Sequence, residues 1–232
     1  MKGELWSSRI QAGIEADYQF WAGSPKARWR TPLICLVVPG FLLVLTEWLA
    51  VSPWGFKWLV GMFAVITMPV TVAVVGIFIA PWFLLSKNRR RAALFALICS
   101  VACLVSFTVG SVAGAHIRRA GFVALAERSK PLVKAVKQYE HDQGKPPGSL
   151  DALVPTYLPQ VPSTGLGAYP KYEYVSGDKA KRFEANPWAI YVFTPSGGIN
   201  FDQFLYFPLQ NYPKKGFGGW LERIGDWAYV HE

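Results

Sequence analysis

The spacing of apolar and polar positions changes character along the chain. Residues 92–115 (AALFALICSVACLVSFTVGSVAGA) are almost wholly apolar and long enough to cross a bilayer as a helix. Beyond them Phe122, Leu125, Leu132, Val136 and Tyr139 recur at spacings of three, four and seven, as on a helix with one face packed and the other in water. The helical pattern stops at Gly144, where a proline-punctuated segment begins. The spacing therefore predicts a helix that leaves lipid and continues as an amphipathic stem. Ser129-Lys130-Pro131 either starts a fresh helix with Ser129 as its cap or kinks a continuous one.

Two further apolar stretches precede the stem, over residues 32–50 and 58–85. Pro69 and Pro81 should kink or shorten the second. Residues 51–57 read as a tight turn. Ahead of all three spans, Trp6, Ile10, Ile14, Tyr18 and Trp21 form a three-to-four-residue stripe within residues 1–31. That stripe fits either an amphipathic helix in the membrane interface or one packed on the protein's own loops. It has neither the short apolar core nor the small-residue site of a signal peptide.

Beyond residue 162 the pattern turns to period two. Tyr172-Glu-Tyr-Val175 alternates, and residues 188–194 and 199–207 flank a Pro-Ser-Gly-Gly turn, which predicts a hairpin. Residues 209–219 read as a loop, and residues 224–230 as one closing strand. The aromatic residues here are numerous. They either pack around one small sheet or expose some rings to a groove or to the membrane. Tyr206, Tyr212, Phe217, Trp220 and Trp227 are the candidate partner-binding residues.

Charge fixes the expected orientation. The formal net charge is +9, but from residue 116 onward 14 Lys/Arg stand against 11 Asp/Glu. That balance argues against a nucleic-acid partner, and the basic excess reflects membrane flanks and anionic lipid. Residues 86–91 carry four positive charges against one in residues 51–57, which places the N-terminus in the cytoplasm and the C-terminal domain outside. Arg118, Arg119, Arg128, Lys130 and Lys134 follow the third span on the outer side; long domains translocate largely regardless of charge.

Residues 139–162 (YEHDQGKPPGSLDALVPTYLPQVP) resemble the segment after the long first helix of type IV pilin-like proteins, especially type II secretion pseudopilins. There a helix ends in Tyr, then Gly and Pro, before a Ser-Leu-x-x-Leu-Val-Pro element leads into strands. The physics fits: Gly144 can end the stem in a left-handed conformation, and Ser149 can cap a short helix whose Leu150, Leu153, Val154 and Leu158 pack back on it. The resemblance covers about residues 92–195. It implies a pilin-like α+β domain, a long helical stem on a small antiparallel sheet; the apolar runs, two of them additional to the family's pattern, place that domain after three transmembrane α-helices, in a bacterial cytoplasmic (inner) membrane. The leader glycine and fifth-place glutamate of fibre subunits are missing, so it does not imply a polymerised subunit.

Catalytic chemistry is not legible. His116, His141 and His231 share no zinc-type spacing, and no phosphate-cradling glycine loop is present. Asp202, Glu222, Asp226 and Glu232 could converge on calcium, as some pseudopilins bind it. Cys35, Cys99 and Cys103 lie inside apolar runs and read as packing residues. Glu47 lies near the end of the first span, where it can reach interfacial water. No cofactor is implied. The expected role is a scaffold or adaptor whose partners are the lipid bilayer and another envelope protein. The alternatives are an accessory component of a type II secretion or type IV pilus machine, and a membrane-bound enzyme or metal-dependent sensor.

Overall fold

Proline's fixed φ suits the first turn of a helix, and Pro25 opens α1 (Pro25–Val51). The structure, a computed structural model, describes residues 25–56, 63–85, 89–196 and 200–231. The expected N-terminal amphipathic helix, with its stripe from Trp6 to Trp21, lies outside these residues. Two more helices follow, α2 (Phe63–Leu84) and α3 (Arg90–Gln143). Among the described residues these are three helices long and apolar enough to cross a membrane. Residues 58–62 of the expected second span lie outside the described ones. Pro69 and Pro81 both sit inside α2, which continues to Leu84.

The chain forms two compact units. The first takes residues up to Phe41 with Pro69–Val109, and the second takes Leu42–Met68 with everything from Gly110. In the first, small residues let helices approach. Gly40 N–H donates to Ser106 Oγ at 2.9 Å, and a Cβ on Gly76 would lie 2.7 Å from Ser100 Oγ.

In the second unit α3 runs through Pro131 without a break. Ser129 is not a cap: it is fully buried mid-helix, and its hydroxyl donates to the Ala126 carbonyl at 2.9 Å. Gly144 then takes φ +65° and ends the helix, as its lack of a Cβ allows. A 3-10 turn at Leu150–Leu153 brings Leu153 and Leu158 into the core. Two expectations fail here. The Ser149 side chain makes no capping bond, and Val154 faces solvent because extended backbone follows the turn.

The sheet has six antiparallel strands among the described residues: β1 (Glu173–Ser176), β2 (Trp188–Phe193), β3 (Gln203–Tyr206), β4 (Lys215–Gly216), β5 (Gly219–Ile224) and β6 (Trp227–His231). Their order is β1-β2-β3-β6-β5-β4. The β2–β3 hairpin forms with Ile190 opposite Tyr206 and Phe193 opposite Gln203. Its return strand is shorter than expected, because Asn200 Oδ1 accepts from the Ser196 and Asp202 amides and holds that end as a loop. The single closing strand expected over 224–230 is instead a turn and a strand. Gly225 at φ +60° forms, with Asp226, a two-residue turn pairing Ile224 with Trp227, so β5 ends where the strand was expected to begin, and β4 lies inside the expected loop.

Alternation sorts the sheet's side chains onto two buried faces. Trp188, Ile190, Val192, Phe204, Tyr206, Trp227 and Tyr229 pack on the stem residues Phe122, Leu125, Leu132 and Val136. Ala189, Tyr191, Leu205 and Val230 face the other way and are covered by Phe183, Phe207, Tyr212 and Phe217. The aromatic excess thus fills two cores.

Candidate functional site

Arg118 lies four residues before Phe122 and seven before Leu125, so helical geometry carries it onto the buried stripe of α3. Burying a guanidinium is costly unless its donors are paired. Here Nε donates to Tyr229 Oη at 3.0 Å, and Nη1 donates to Tyr169 Oη at 2.9 Å and to Glu47 Oε2 at 3.3 Å. Nη2 donates to the Thr194 carbonyl and stands 3.9 Å from Asp202 Oδ2. The phenols pass the pairing on. Tyr229 donates to Asp202 Oδ2 at 2.5 Å and Tyr169 to the Pro195 carbonyl at 2.7 Å. The guanidinium also lies 5.1 Å from the Phe122 ring centroid. Burial pushes the Tyr169 and Tyr229 hydroxyls above the usual phenol range despite the nearby cation, so both stay neutral and act as relays.

The network ties α1, α3 and the sheet together within the second unit. Glu47, read from the sequence as a snorkelling acid, is an ion-pair partner of Arg118. Two glycines admit a backbone contact beside it. Gly167 N–H donates to the Ser52 carbonyl at 2.8 Å and Ala168 N–H to Ala50 at 3.3 Å, with Gly55 and Gly167 so close that a Cβ on either would strike backbone.

A cleft of about 400 Å³ opens beside Arg118, lined among others by His116, Arg119, Glu222 and His231. Arg119 Nε donates to Glu222 Oε1 at 2.7 Å, and His231 Nε2 lies 3.0 Å from Glu222 Oε2. Burial would raise the Glu222 carboxyl, but these partners outweigh it and hold the group below its ordinary range. The acids considered for calcium do not converge. Asp202 turns to Tyr229, Glu222 to Arg119, and Asp226 sits at the opposite end of β6; Glu232 lies outside the described residues. Among the described residues no three His, Cys, Asp or Glu side chains are grouped to hold a metal ion.

A second cleft, of about 500 Å³, lies between the stem and the β5–β6 turn. Lys130, Lys134 and Lys137 line it at helical spacing, with Val133, Tyr206 and Trp227 among its apolar lining and Asp226 across from them. Lys137 Nζ lies 5.8 Å from the Tyr206 ring centroid.

The five candidate partner-binding aromatics separate by environment. Tyr206 and Trp227 are almost wholly buried, with only edges reaching the lysine cleft. Tyr212 accepts from the Phe207 amide and stacks on the Phe207 ring, and Phe217 stacks on Phe183. Trp220 alone of the five is exposed, stacked on the His231 ring at 4.0 Å. Arg118 and the lysine register were missed as site residues. Their signal was present: a cation in phase with an apolar stripe, and three lysines at i, i+4 and i+7.

No family model matches the sequence, and neither a curated protein nor a solved structure matches it.

Proposed function

We propose that the protein is a membrane-anchored adaptor whose head, of pilin-like design, stands at the outer face of a bacterial cytoplasmic membrane and engages an acidic segment of another envelope protein. The lysine-lined cleft carries this reading. Lys134 and Lys137 share one helix face with Lys130, which is paired with Glu127 at 2.5 Å, above an apolar floor, and this suits an extended chain with carboxylates on one side and apolar side chains on the other. Lys130 lies 15 residues past residue 115, about 22 Å along α3. That exceeds the Debye length of about 8 Å at physiological salt, so a protein partner fits better than the anionic bilayer surface.

Photo-crosslinking from a benzophenone amino acid at Gln138, in intact cells, tests the proposal. One envelope protein should be captured, and the triple variant K130E/K134E/K137E should lose it. Absence of an adduct, or an adduct indifferent to charge reversal, would defeat the reading. Labelling of Lys215→Cys by an impermeant maleimide tests the side of the membrane.

A second reading, an accessory component of a secretion or pilus machine, draws support from the 3-10 segment at Leu150–Leu153 folding back on the stem. Deleting the gene without loss of secretion or piliation would remove it.

A further inference from the structure

The strand registers show which end of the sheet lies beside Arg118. Thr194 and Asp202, in contact with that residue, sit just past β2 and just before β3. Trp220 pairs with His231 at the same end, where Glu222 meets Arg119. This is also the end at which α1 from Leu42 and α3 from Gly110 enter the unit as apolar helix. Arg118 is three residues past residue 115, or about 4.5 Å along the helix axis, within the headgroup layer of about 5–8 Å if the apolar segments end at the hydrocarbon boundary.

The exposed aromatics gather here. Beyond residue 115, the large aromatic side chains exposed among the described residues are Phe193 (48 %), Phe201 (59 %) and Trp220 (52 %). Phe193 ends β2, Phe201 precedes β3 and Trp220 lies in β5 opposite His231. Trp54, in the turn after α1, is 78 % exposed and belongs to the same unit. Elsewhere the head packs its rings into one core or the other. Exposed Lys215, opposite Trp220, and exposed Lys171 lie on the same side. Aromatic rings interspersed with lysines match the bilayer interface, which accepts amphipathic rings and attracts cations when lipids are anionic.

We propose that this aromatic rim inserts into the bilayer interface, so that the head rests on lipid through Phe193, Phe201 and Trp220 as well as on its helical stem. The inference assumes that the apolar helices cross a bilayer, and it is independent of what occupies the lysine cleft. A second copy or another protein would be expected to cover a face of the sheet or the cleft; a bilayer covers the one end from which the spanning segments emerge.

The test uses the full chain in nanodiscs of phosphatidylcholine and phosphatidylglycerol. Spin labels are placed at Phe193→Cys, Phe201→Cys and, as a control at the opposite sheet end, Leu209→Cys, each with the native cysteines replaced by alanine. All three positions are exposed. The ratio of relaxation by oxygen to relaxation by a water-soluble nickel chelate should be severalfold higher at residues 193 and 201 than at 209. Equal ratios, or a higher one at 209, would overturn the proposal. Because the cysteine-free chain could fold poorly, a photoactivatable phosphatidylglycerol is applied to the unaltered protein as well. Adducts on peptides carrying residues 193 and 201 support insertion, and adducts confined to the three helices overturn it.

Discussion

Replacing Arg118 with alanine removes a buried cation that faces two acids, Glu47 and Asp202. Asp202 and, less deeply, Glu47 would keep their carboxylates among apolar and phenolic groups, and the Thr194 carbonyl would lose a donor. Tyr229 and Tyr169 would each lose the hydrogen bond they accept. Breaking a buried ion pair from one side costs about 3–5 kcal/mol. For a head of this size that corresponds to roughly 10–20 °C in melting temperature. The assay is thermal unfolding of the full chain in detergent micelles, followed by near-ultraviolet circular dichroism, which reads the packed tyrosines and tryptophans. Arg118→Lys keeps the charge but loses the planar fork, so it should fall between wild type and alanine. Arg118→Met combined with Asp202→Asn should lose less than the sum of the two single changes, since the second removes the charge the first leaves stranded. Arg119 makes a similar-looking pair with Glu222 but is more than half exposed, so Arg119→Ala should cost under about 1 kcal/mol. If Arg118→Ala melted within about 1 kcal/mol of Arg119→Ala, the claim that this network ties α1, α3 and the sheet together within the second unit would be wrong.

Other outcomes follow from neighbouring features. Gly167→Ala should destabilise the head by roughly 1–3 kcal/mol through overpacking, because the new Cβ meets the Gly55 backbone, and hydrogen exchange at the Gly167 and Ala168 amides should accelerate. Phe122→Ala empties the space where α3 meets Phe204 and Tyr229, and should cost about 3–5 kcal/mol in the same melt. Leu132→Ala, also fully buried, should cost about 2–5 kcal/mol. Alkaline pH should weaken the fold. Burial pushes Tyr172 up to about 12 and also raises Tyr174, Tyr212 and Tyr229. A folded-state value above the unfolded one means that the stabilisation is complete below the unfolded value of about 10 and is lost as pH rises through the folded one. Phenolate absorbance should therefore lag that of the unfolded chain, and melting temperature should fall above that pH. A titration coinciding with that of the unfolded chain would contradict this.

Local pattern was enough for much of this molecule. The apolar run of 92–115, the stripe through Phe122, Leu125, Leu132 and Val136, the stop at Gly144 and the hairpin around residues 188–207 depend on neighbours within one element, and each could be read in advance. The Gly225-Asp226 turn carries a usable signal, a glycine beside an aspartate, inside a run whose pattern reads as one strand. Hydrophobicity alone does not separate a continuous strand from two strands joined by a two-residue turn; the left-handed Gly225 makes that choice. The sheet order had no counterpart in the sequence pattern, because β3 pairs with β6 across an intervening hairpin. Nor could composition show that Tyr206 and Trp227 are buried while Phe193 and Phe201 are exposed: strand register, not residue type, assigns a ring to the interior or the rim.

The amino-acid order determined the helices, the hairpin of β2 and β3 and the division between apolar and polar halves, since those follow from periods of a few residues. Tertiary structure decided that Arg118 meets Glu47, Tyr169, Asp202 and Tyr229, which lie from 51 to 111 positions away. A charge placed in an apolar stripe announces that it needs partners. Only the folded chain brings distant donors and acceptors within hydrogen-bonding reach, and so determines which ones they are.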